Sequence, residues 1–294
     1  SSAKNWDKTS NTTLYAQWTA NTYTITYKDQ GGSDFSGVHA STPPTKHTYG
    51  TATTLKDATK IGYTFDGWFT TSACTGTAVT SLGATDYTSN ITLYAKWTEI
   101  PPTTIYIKSD GNYADFKWNY NSTAYPMEKV DCNGTYYTAD ILGGVEEITL
   151  TGSNSFTTTA LTVPTDGKTL YDLTSTSITH LYLKPHSNWK QSNARFAAYF
   201  FGNSGNAWQS MEAVGTSGYY KAAVPAGTWT NVIFCRMDPS SNTNGWTQDT
   251  QLWNKTADLQ FPTNGNNLYT LTGGEWNAVT GSWSTIWDNS RWTT

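Results

Sequence analysis

The segment Ala194–Met211, ARFAAYFFGNSGNAWQSM, has the pattern of two β-strands joined by a polar turn. Side chains alternate along a strand, so Phe196 and Phe200 share one face while Arg195 and Tyr199 share the other. We predict that the Phe face is core and that the Arg-bearing face is surface. The segment therefore predicts a hairpin that can present aromatic rings to a ligand.

The composition favours strands over helices and argues against a nucleic-acid partner. Only 14% of the 294 residues are charged, and 18 Lys and Arg against 22 Asp and Glu give a net charge of −4, which offers no basic surface. The 14 Trp and 19 Tyr are numerous for so polar a chain. Rings this frequent are often partly exposed, and exposed rings indicate binding.

The cysteines and the hydropathy indicate where in the cell the protein is expected. The chain has 3 cysteines, far apart and without a CxxC pair, which predicts buried thiols. No apolar run reaches the ~18 residues of a membrane span. No signal peptide opens the chain, so we interpret it as part of a longer exported protein, secreted or at the cell surface.

A repeated strand motif defines the first half. Thr13–Thr19 reads TLYAQWT and Thr92–Thr98 reads TLYAKWT, each alternating in polarity as a strand does. Three further strand-like segments precede the second copy: YTITYKDQGG (Tyr23–Gly32), TYGTATTL (Thr48–Leu55) and GYTFDGWF (Gly62–Phe69). We predict one complete unit over residues 21–99 and the end of a preceding unit over residues 1–20.

The motifs GYTFDGW and ITLYAKW resemble the Listeria–Bacteroides repeat, the B-repeat of internalin-like surface proteins, over Tyr23–Thr98. The resemblance implies a small β-grasp-like fold that serves as a surface spacer. Trp18, Trp68 and Trp97 are accordingly predicted to be structural. Gly67 is expected where the backbone makes a close approach that a Cβ would block.

The second half also repeats, more faintly, after the linker EIPPTT. Five blocks recur in the same order: IYIK (Ile105–Lys108) with LYLK (Leu181–Lys184), MEKV with MEAV, CNGTYY with TSGYY, VEEITL with NVIFC, and TALTVPTDGKTLYDL with TADLQFPTNGNNLYTL. Their spacing and turn signals predict two tandem β-sandwich modules. We place them at residues 103–176 and 177–285, followed by a tail over 286–294. The predicted fold class is thus mainly β, a β-grasp-like repeat followed by two sandwiches.

No pattern indicates catalysis, a metal or a cofactor. The His residues stand near no nucleophile elbow, and metal-ligand and phosphate-loop motifs are missing. Glu146 and Glu147 are adjacent in a strand and point to opposite faces. Asp238, Asp249 and Asp258 are distant carboxylates that remain able to meet in space. The prediction is a non-enzyme without a cofactor, and calcium stays open although no DxDxDG loop occurs.

The last module resembles a bacterial starch-binding module of carbohydrate-binding family 25/26. The motifs are LYLKPHSNW, ARFAAYFFGNSGNAWQSM, GYYKAAVP, NVIFCR and KTADLQFP. The resemblance implies an α-glucan partner stacked on Tyr199, Phe201 and Trp208. One departure is that the Trp-Pro-Gly of the family is Trp208-Gln209-Ser210 here.

Further site candidates come from the residues themselves. Gln209 follows the Trp and offers an amide for sugar hydroxyls, and Trp189 and Trp246 follow or lie within polar loops. The middle module offers a possible second site. Its rings are Trp118, Tyr120 and Tyr125.

The predicted function is non-catalytic binding of an α-glucan such as starch or glycogen by a monomeric part of a surface protein. Two alternatives stay open: an adhesin for a host protein or glycoprotein, and a purely structural surface stalk. No nucleic acid is expected as a partner.

Overall fold

The computed structural model describes residues 9–13, 15–131, 133–247, 251–273 and 279–294, and the chain is mainly β, as predicted. Cys132, Asp249 and Trp276 lie outside the described residues. The chain divides into two compact units, one of residues 1–102 with 142–144 and one of residues 103–141 with 145–294. Each unit is described by itself.

The first unit is a four-stranded mixed sheet with two small two-stranded ladders. Its elements are β1 (Thr22–Asp29), the 3-10 helix η1 (Gln30–Gly32), β2 (Val38–His39), β3 (Lys46–Thr48), β4 (Thr53–Thr54), β5 (Ala58–Thr59), β6 (Tyr63–Phe69), β7 (Ser81–Leu82) and β8 (Ile91–Glu99). The sheet order is β3-β1-β8-β6, in which β1 and β8 run parallel. The ladders pair β2 with β5 and β4 with β7.

Trp68 fills the core of this unit, as the sequence predicts. Its ring is 1% exposed and its indole N–H donates to the Lys56 carbonyl at 2.8 Å. Gly67 lies at a bulge of β6 with φ of 114°, where an added Cβ would come within 2.6 Å of the Ala78 Cβ. The tryptophan and the glycine therefore have the structural roles expected of them.

Trp18 differs from the structural role predicted for it. At the same position of the repeated motif, Trp97 lies in β8, and its indole N–H donates to the Asp29 carboxylate at 2.9 Å. Trp18 is instead 91% exposed, and the described residues of 9–20 form no strand. The motif alone does not bury its tryptophan, because burial needs the neighbouring strands that enclose Trp97.

The first strands of the second unit form a sandwich of two sheets, called here the middle sandwich. They are β9 (Thr103–Lys108), β10 (Lys117–Tyr120), β11 (Thr123–Pro126), β12 (Glu128–Asp131), β13 (Thr135–Ile141), β14 (Glu147–Thr151), β15 (Leu161–Thr162) and β16 (Leu170–Asp172). One sheet has the order β11-β10-β14-β15, and the other contains β12-β13-β9-β16. Phe116 and Tyr137 link the two across the core, with ring centroids 4.8 Å apart.

Strands β17 to β25 form one curled sheet, called here the C-terminal sheet. The elements are β17 (His180–Lys184), the 3-10 helix η2 (Ser187–Asn193), β18 (Arg195–Gly202), β19 (Gly205–Ala213), β20 (Tyr220–Ala223), β21 (Asn231–Met237), β22 (Leu252–Lys255), β23 (Leu259–Gln260), β24 (Leu268–Leu271) and β25 (Gly281–Ser284). The order is β22-β21-β18-β19-β20-β17-β24-β25, and β23 also pairs with β21. Strand β19 joins the two halves of the sheet, because its residues 205–211 pair with β18 and only Glu212 and Ala213 pair with β20. Phe196, Phe200 and Phe234 lie fully buried inside the curl.

The same pairing scheme occurs in the middle sandwich and in the C-terminal sheet. The series β11-β10-β14-β15 corresponds to β19-β18-β21-β23, and β13-β9-β16 corresponds to β20-β17-β24, in each case with the last pair parallel. A buried threonine marks both copies. Thr158 exchanges hydrogen bonds with the Leu150 backbone, and Thr256 does so with the Phe234 backbone.

Residues 286–294, predicted as a tail, are a structured segment. After the 3-10 helix η3 (Asn289–Arg291), strand β26 (Trp292–Thr293) pairs antiparallel with β16 of the middle sandwich. The register sets Trp292 opposite Tyr171, just as β25 sets Trp283 opposite Tyr269 in the C-terminal sheet. The strand next to β16 therefore comes from the end of the chain, after all the strands of the C-terminal sheet.

Burial controls the chemistry of Cys235. The thiol is 0% exposed, and burial raises its pKa to about 12. Because the thiolate is the reactive form, we expect Cys235 to resist an aromatic disulfide reagent at pH 8 until the protein is unfolded. Peptide mapping after labelling, with and without denaturant, measures this. Labelling of Cys235 at equal rates in both conditions would contradict the structure.

Candidate functional site

The hairpin of β18 and β19 brings two aromatic rings together on its outer face. Tyr199 and Trp208 are cross-strand partners, with ring centroids 4.8 Å apart and planes at 54°. Phe201 flanks Tyr199 at 5.6 Å. All three side chains are half-buried. The structure therefore brings together the three residues that the sequence assigned to the stacking surface.

Trp246 completes a three-ring group. It lies 4.7 Å from the Tyr199 ring, with the planes at 78°, and 4.7 Å from the Trp208 ring, with the planes at 53°. It is 43% exposed, one of the most exposed large rings of the C-terminal sheet. We call Tyr199, Trp208 and Trp246 the ring cluster. It is an inclined aromatic wall rather than a flat strip, and part of each ring remains open to solvent.

The ring cluster rests on a small apolar patch. Tyr199, Phe201 and Trp208 pack against buried residues that line the outer face of the sheet: Ala197, Ile233, Cys235, Met237 and Leu252. The Arg-bearing face of β18 is therefore only partly the surface that the sequence predicted, since Ala197 on this face is 0% exposed. A patch that fixes the rings from below holds their orientation and lowers the entropy cost of ordering them on binding.

Arg195 anchors the loop that carries Trp246. Its guanidinium donates to the carbonyls of Asp238 at 3.0 Å and Ser241 at 2.6 Å, to the carbonyl of Thr243, and to the Asn244 side chain at 2.6 Å. Burial lowers the pKa of Arg195, and the Asp238 carboxylate partly opposes this shift. The strand alternation places Arg195 on this face but does not reveal its role. The role depends on a loop more than 40 residues away, which no local pattern reveals.

Removing this anchor is expected to loosen the loop. Charged hydrogen bonds contribute about 1.5–3 kcal/mol each, so Arg195→Ala should raise amide hydrogen exchange over residues 238–247 by roughly tenfold or more. Arg195→Lys keeps the charge but loses the forked geometry, and an intermediate effect is expected. Exchange that stays at the wild-type rate in Arg195→Ala would show that the rings hold the loop without the arginine.

The carboxylate of Asp238 has a structural role in the same loop. It accepts hydrogen bonds from the Ser240 amide at 2.7 Å and the Ser240 hydroxyl at 2.6 Å, which lower the pKa of this carboxyl. Among the described residues, no three His, Cys, Asp or Glu side chains are grouped closely enough to hold a metal ion.

Two site candidates from the sequence lie away from the ring cluster. Trp189 lies in η2 and is 0% exposed, with its ring parallel to that of Phe196 at 6.3 Å. Its assignment to the binding surface is therefore corrected to the core. Gln209 is the cross-strand partner of buried Ala198, so the strand alternation places it on the face opposite the rings. The polar residues around Gln209 in the sequence do not reveal which strand face it occupies.

The rings proposed for the middle sandwich occupy a different position. Trp118 is 3% exposed and stacks on Tyr125 at 4.1 Å with the planes at 12°, and Tyr120 is half-buried. The two copies align on a methionine and a phenylalanine. The Met127 amide donates to the Phe116 carbonyl, and Met211 is the cross-strand partner of Phe196. Counting along the strands from these anchors, the positions of Tyr199 and Trp208 are held by Asn119 and Ala124. The middle sandwich thus has no rings at the positions of the ring cluster.

Comparisons with known proteins bear on each half of the chain. Residues 23–96 match the family model of the Listeria-Bacteroides repeat domain, which confirms the resemblance seen in the sequence. Two proteins of Evansella cellulosilytica, whose names describe them as membrane proteins and one as Gly-rich, are 36% identical over 100 residues and 35% identical over 107 residues. Each match covers 34% of this chain but only 10% or 14% of the relative. The chain thus spans a small part of their length.

One solved structure is similar over the larger part of the chain. It is the family CBM26 module CBMbc of Eubacterium rectale Amy13K, crystallised in complex with maltoheptaose. The similarity covers 65% of this chain and 100% of that one, at 13% identity and a TM-score of 0.25. Among the described residues, no helix is long and apolar enough to cross a lipid bilayer.

Proposed function

We propose that the ring cluster binds a neutral α-glucan chain such as starch or glycogen. The observation that carries the proposal is the set of three solvent-accessible rings held in mutual contact by β18, β19 and the anchored loop. Sugar rings present C–H patches that pack on aromatic faces, and such packing needs no charge on either partner. The low charge of the chain agrees with a neutral ligand.

The tilt of the rings favours an α-linked chain. The three planes meet at 53–78° instead of lying in one plane. Successive glucose units of an α-1,4 chain turn relative to one another, whereas those of a β-1,4 chain form a flat ribbon that suits coplanar rings. Polar partners are near: exposed Asn206 stands opposite Phe201 in the hairpin, and Asn244 reaches the Ser210 hydroxyl at 3.2 Å.

The expected affinity is weak. Aromatic contacts contribute about 0.5–1.5 kcal/mol each beyond the area they bury. Three rings with a few hydrogen bonds then correspond to a dissociation constant from roughly micromolar to millimolar. Attachment to a polysaccharide would gain strength from the repetition of such sites along a larger protein.

The rest of the chain is proposed to carry and support this site. Shared strand order supports tandem copies of one module, the first of which lacks the ring cluster because its ring positions are Asn119 and Ala124. The Listeria-Bacteroides repeat at residues 23–96 is proposed as a spacer, in a protein that is secreted or on the cell surface and has no catalytic activity. The chain would act as a monomeric part of that protein.

Affinity electrophoresis of the intact chain tests the proposal. Soluble starch or glycogen cast in a native gel should retard the protein in proportion to polysaccharide concentration, and added maltoheptaose should restore its mobility. Hydroxyethyl cellulose is the matched control and should leave mobility unchanged. Mobility that no α-glucan alters would reject the proposed function, and an array of host glycans would then test the adhesin alternative.

A further inference from the structure

Two clefts of similar size occur away from the ring cluster. One, of about 490 Å³, is lined by residues that include Asp258, Gln260, Phe261, Asn264 and Trp283. The other, of about 440 Å³, is lined by residues that include Thr162, Pro164, Asp166, Lys168 and Trp292. Both volumes fall in the range of roughly 300–1,000 Å³ that small-ligand sites occupy.

The clefts occupy the same place in the two copies of the pairing scheme. One wall is the segment after β15 or β23, which reads LTVPTD (Leu161–Asp166) and LQFPTN (Leu259–Asn264). The other wall is a tryptophan on the edge strand of the sheet, Trp292 on β26 or Trp283 on β25. A cleft that recurs at equivalent residues is a property of this strand arrangement and not an accident of one loop.

The tryptophan wall is built in the same way in both clefts. Trp283 meets Tyr269 and Trp292 meets Tyr171, in each case with ring centroids 5.0 Å apart and edge-to-face geometry. Both tryptophans remain half-buried, while the tyrosines behind them are buried. Each tryptophan is thus held by a tyrosine on one side and borders the open cleft.

Polar groups line the rims. The first cleft has the exposed side chains of Asp258, Gln260 and Asn264, and the second has the exposed Asp166–Lys168 ion pair at 2.7 Å.

We propose that these clefts are two further carbohydrate sites, each taking a short stretch of a neutral oligosaccharide against its tryptophan. A sugar suits the combination of one fixed indole with hydroxyl and amide groups at the rim, and with at most one uncompensated charge in either cleft. The inference shares the ligand chemistry of the proposed function but not its site. In this arrangement the middle sandwich binds sugar too, through Trp292 rather than through Trp118 and Tyr125.

Indole N–H signals in ¹H–¹⁵N spectra provide the test, with maltoheptaose as the probe. The intact chain carrying Trp208→Ala is used, so that the ring cluster does not contribute. Conservative variants Trp283→Phe and Trp292→Phe assign the two signals. Both signals are expected to shift and to saturate with millimolar dissociation constants.

Paired rim variants locate the binding without disturbing the core. Asp258→Ala with Asn264→Ala should abolish the shift of Trp283 and leave that of Trp292, whereas Asp166→Ala with Lys168→Ala should do the reverse. Each cleft is therefore the control for the other. Signals that do not move with maltoheptaose, or that move equally in all rim variants, would overturn the inference. The difference in starch retardation between the wild-type chain and Trp208→Ala decides the ring cluster separately.

Discussion

If the chain ends after Thr285, the middle sandwich is expected to unfold at a urea concentration well below the wild-type midpoint. None of the deleted residues belongs to strands β9–β16. The deletion removes β26, the edge partner of β16, and with it the Trp292 ring that packs on Tyr171. It also removes Asp288, whose carbonyl accepts from the Tyr171 hydroxyl at 2.9 Å and whose carboxylate accepts from the Tyr182 hydroxyl.

The size of the effect follows from what the deletion leaves buried. Two buried tyrosine hydroxyls without acceptors cost about 1–3 kcal/mol each, before any loss of apolar contact is counted. Arg291, which is 6% exposed and donates to the Ser175 carbonyl at 2.7 Å and the Gly265 carbonyl at 3.2 Å, is lost as well. A loss of several kcal/mol is a large share of the stability of a domain.

Urea unfolding followed by far-ultraviolet circular dichroism measures the loss, and hydrogen exchange at the amides of β16 locates it. Removing only the exposed Thr294 is the matched control and should leave the midpoint unchanged. If the chain that ends at Thr285 were as stable as the wild type, the pairing of β26 with β16 would not stabilise the middle sandwich.

Trp208→Ala is expected to lower the affinity for starch at least tenfold, so that only weak retardation remains. The ring of Trp208 contacts both Tyr199 and Trp246, so its removal takes away one stacking face and loosens the other two. A tenfold loss corresponds to about 1.4 kcal/mol, within the range expected for one or two aromatic contacts. Native gels containing soluble starch, and calorimetric titration with maltoheptaose, measure it.

Two variants separate binding from folding in this experiment. Tyr49→Ala removes a ring that is 40% exposed from the first unit and should leave retardation intact. Trp189→Ala removes a fully buried ring and should lower stability by about 3–5 kcal/mol. If Trp208→Ala were retarded like the wild type while remaining folded, the ring cluster would not be the binding site.

The sequence predicted those parts of the fold that depend on local pattern. Strict alternation in Arg195–Phe201 identified Phe196 and Phe200 as core, and both are fully buried. Repetition of TLYAxWT, with GYTFDGW between the copies, located the first repeat domain. Hydrophobic period and motif spacing operate over a few residues, so they can be read without knowledge of tertiary contacts.

Strand register and contacts between residues far apart in the chain could not be predicted from the sequence. Trp118 and Tyr125 have the composition of a binding pair, yet the strand register turns Trp118 to the core and places Asn119 and Ala124 at the ring positions. A shift of one residue moves a side chain to the opposite face, and the composition of a strand does not specify that shift. Trp189 was misassigned for a similar reason, because its polar neighbours form a 3-10 helix that covers the core.

The sequence by itself determined that this protein is a β-rich, weakly charged chain with a surface-type repeat and an aromatic hairpin. Only the tertiary structure decided which rings reach solvent together, since Trp246 joins Tyr199 and Trp208 through a loop held by Arg195. It alone also assigned the last residues of the chain to the edge of the middle sandwich. Both outcomes depend on contacts between residues far apart in sequence, whose energies are set by packing and hydrogen bonding in the folded state.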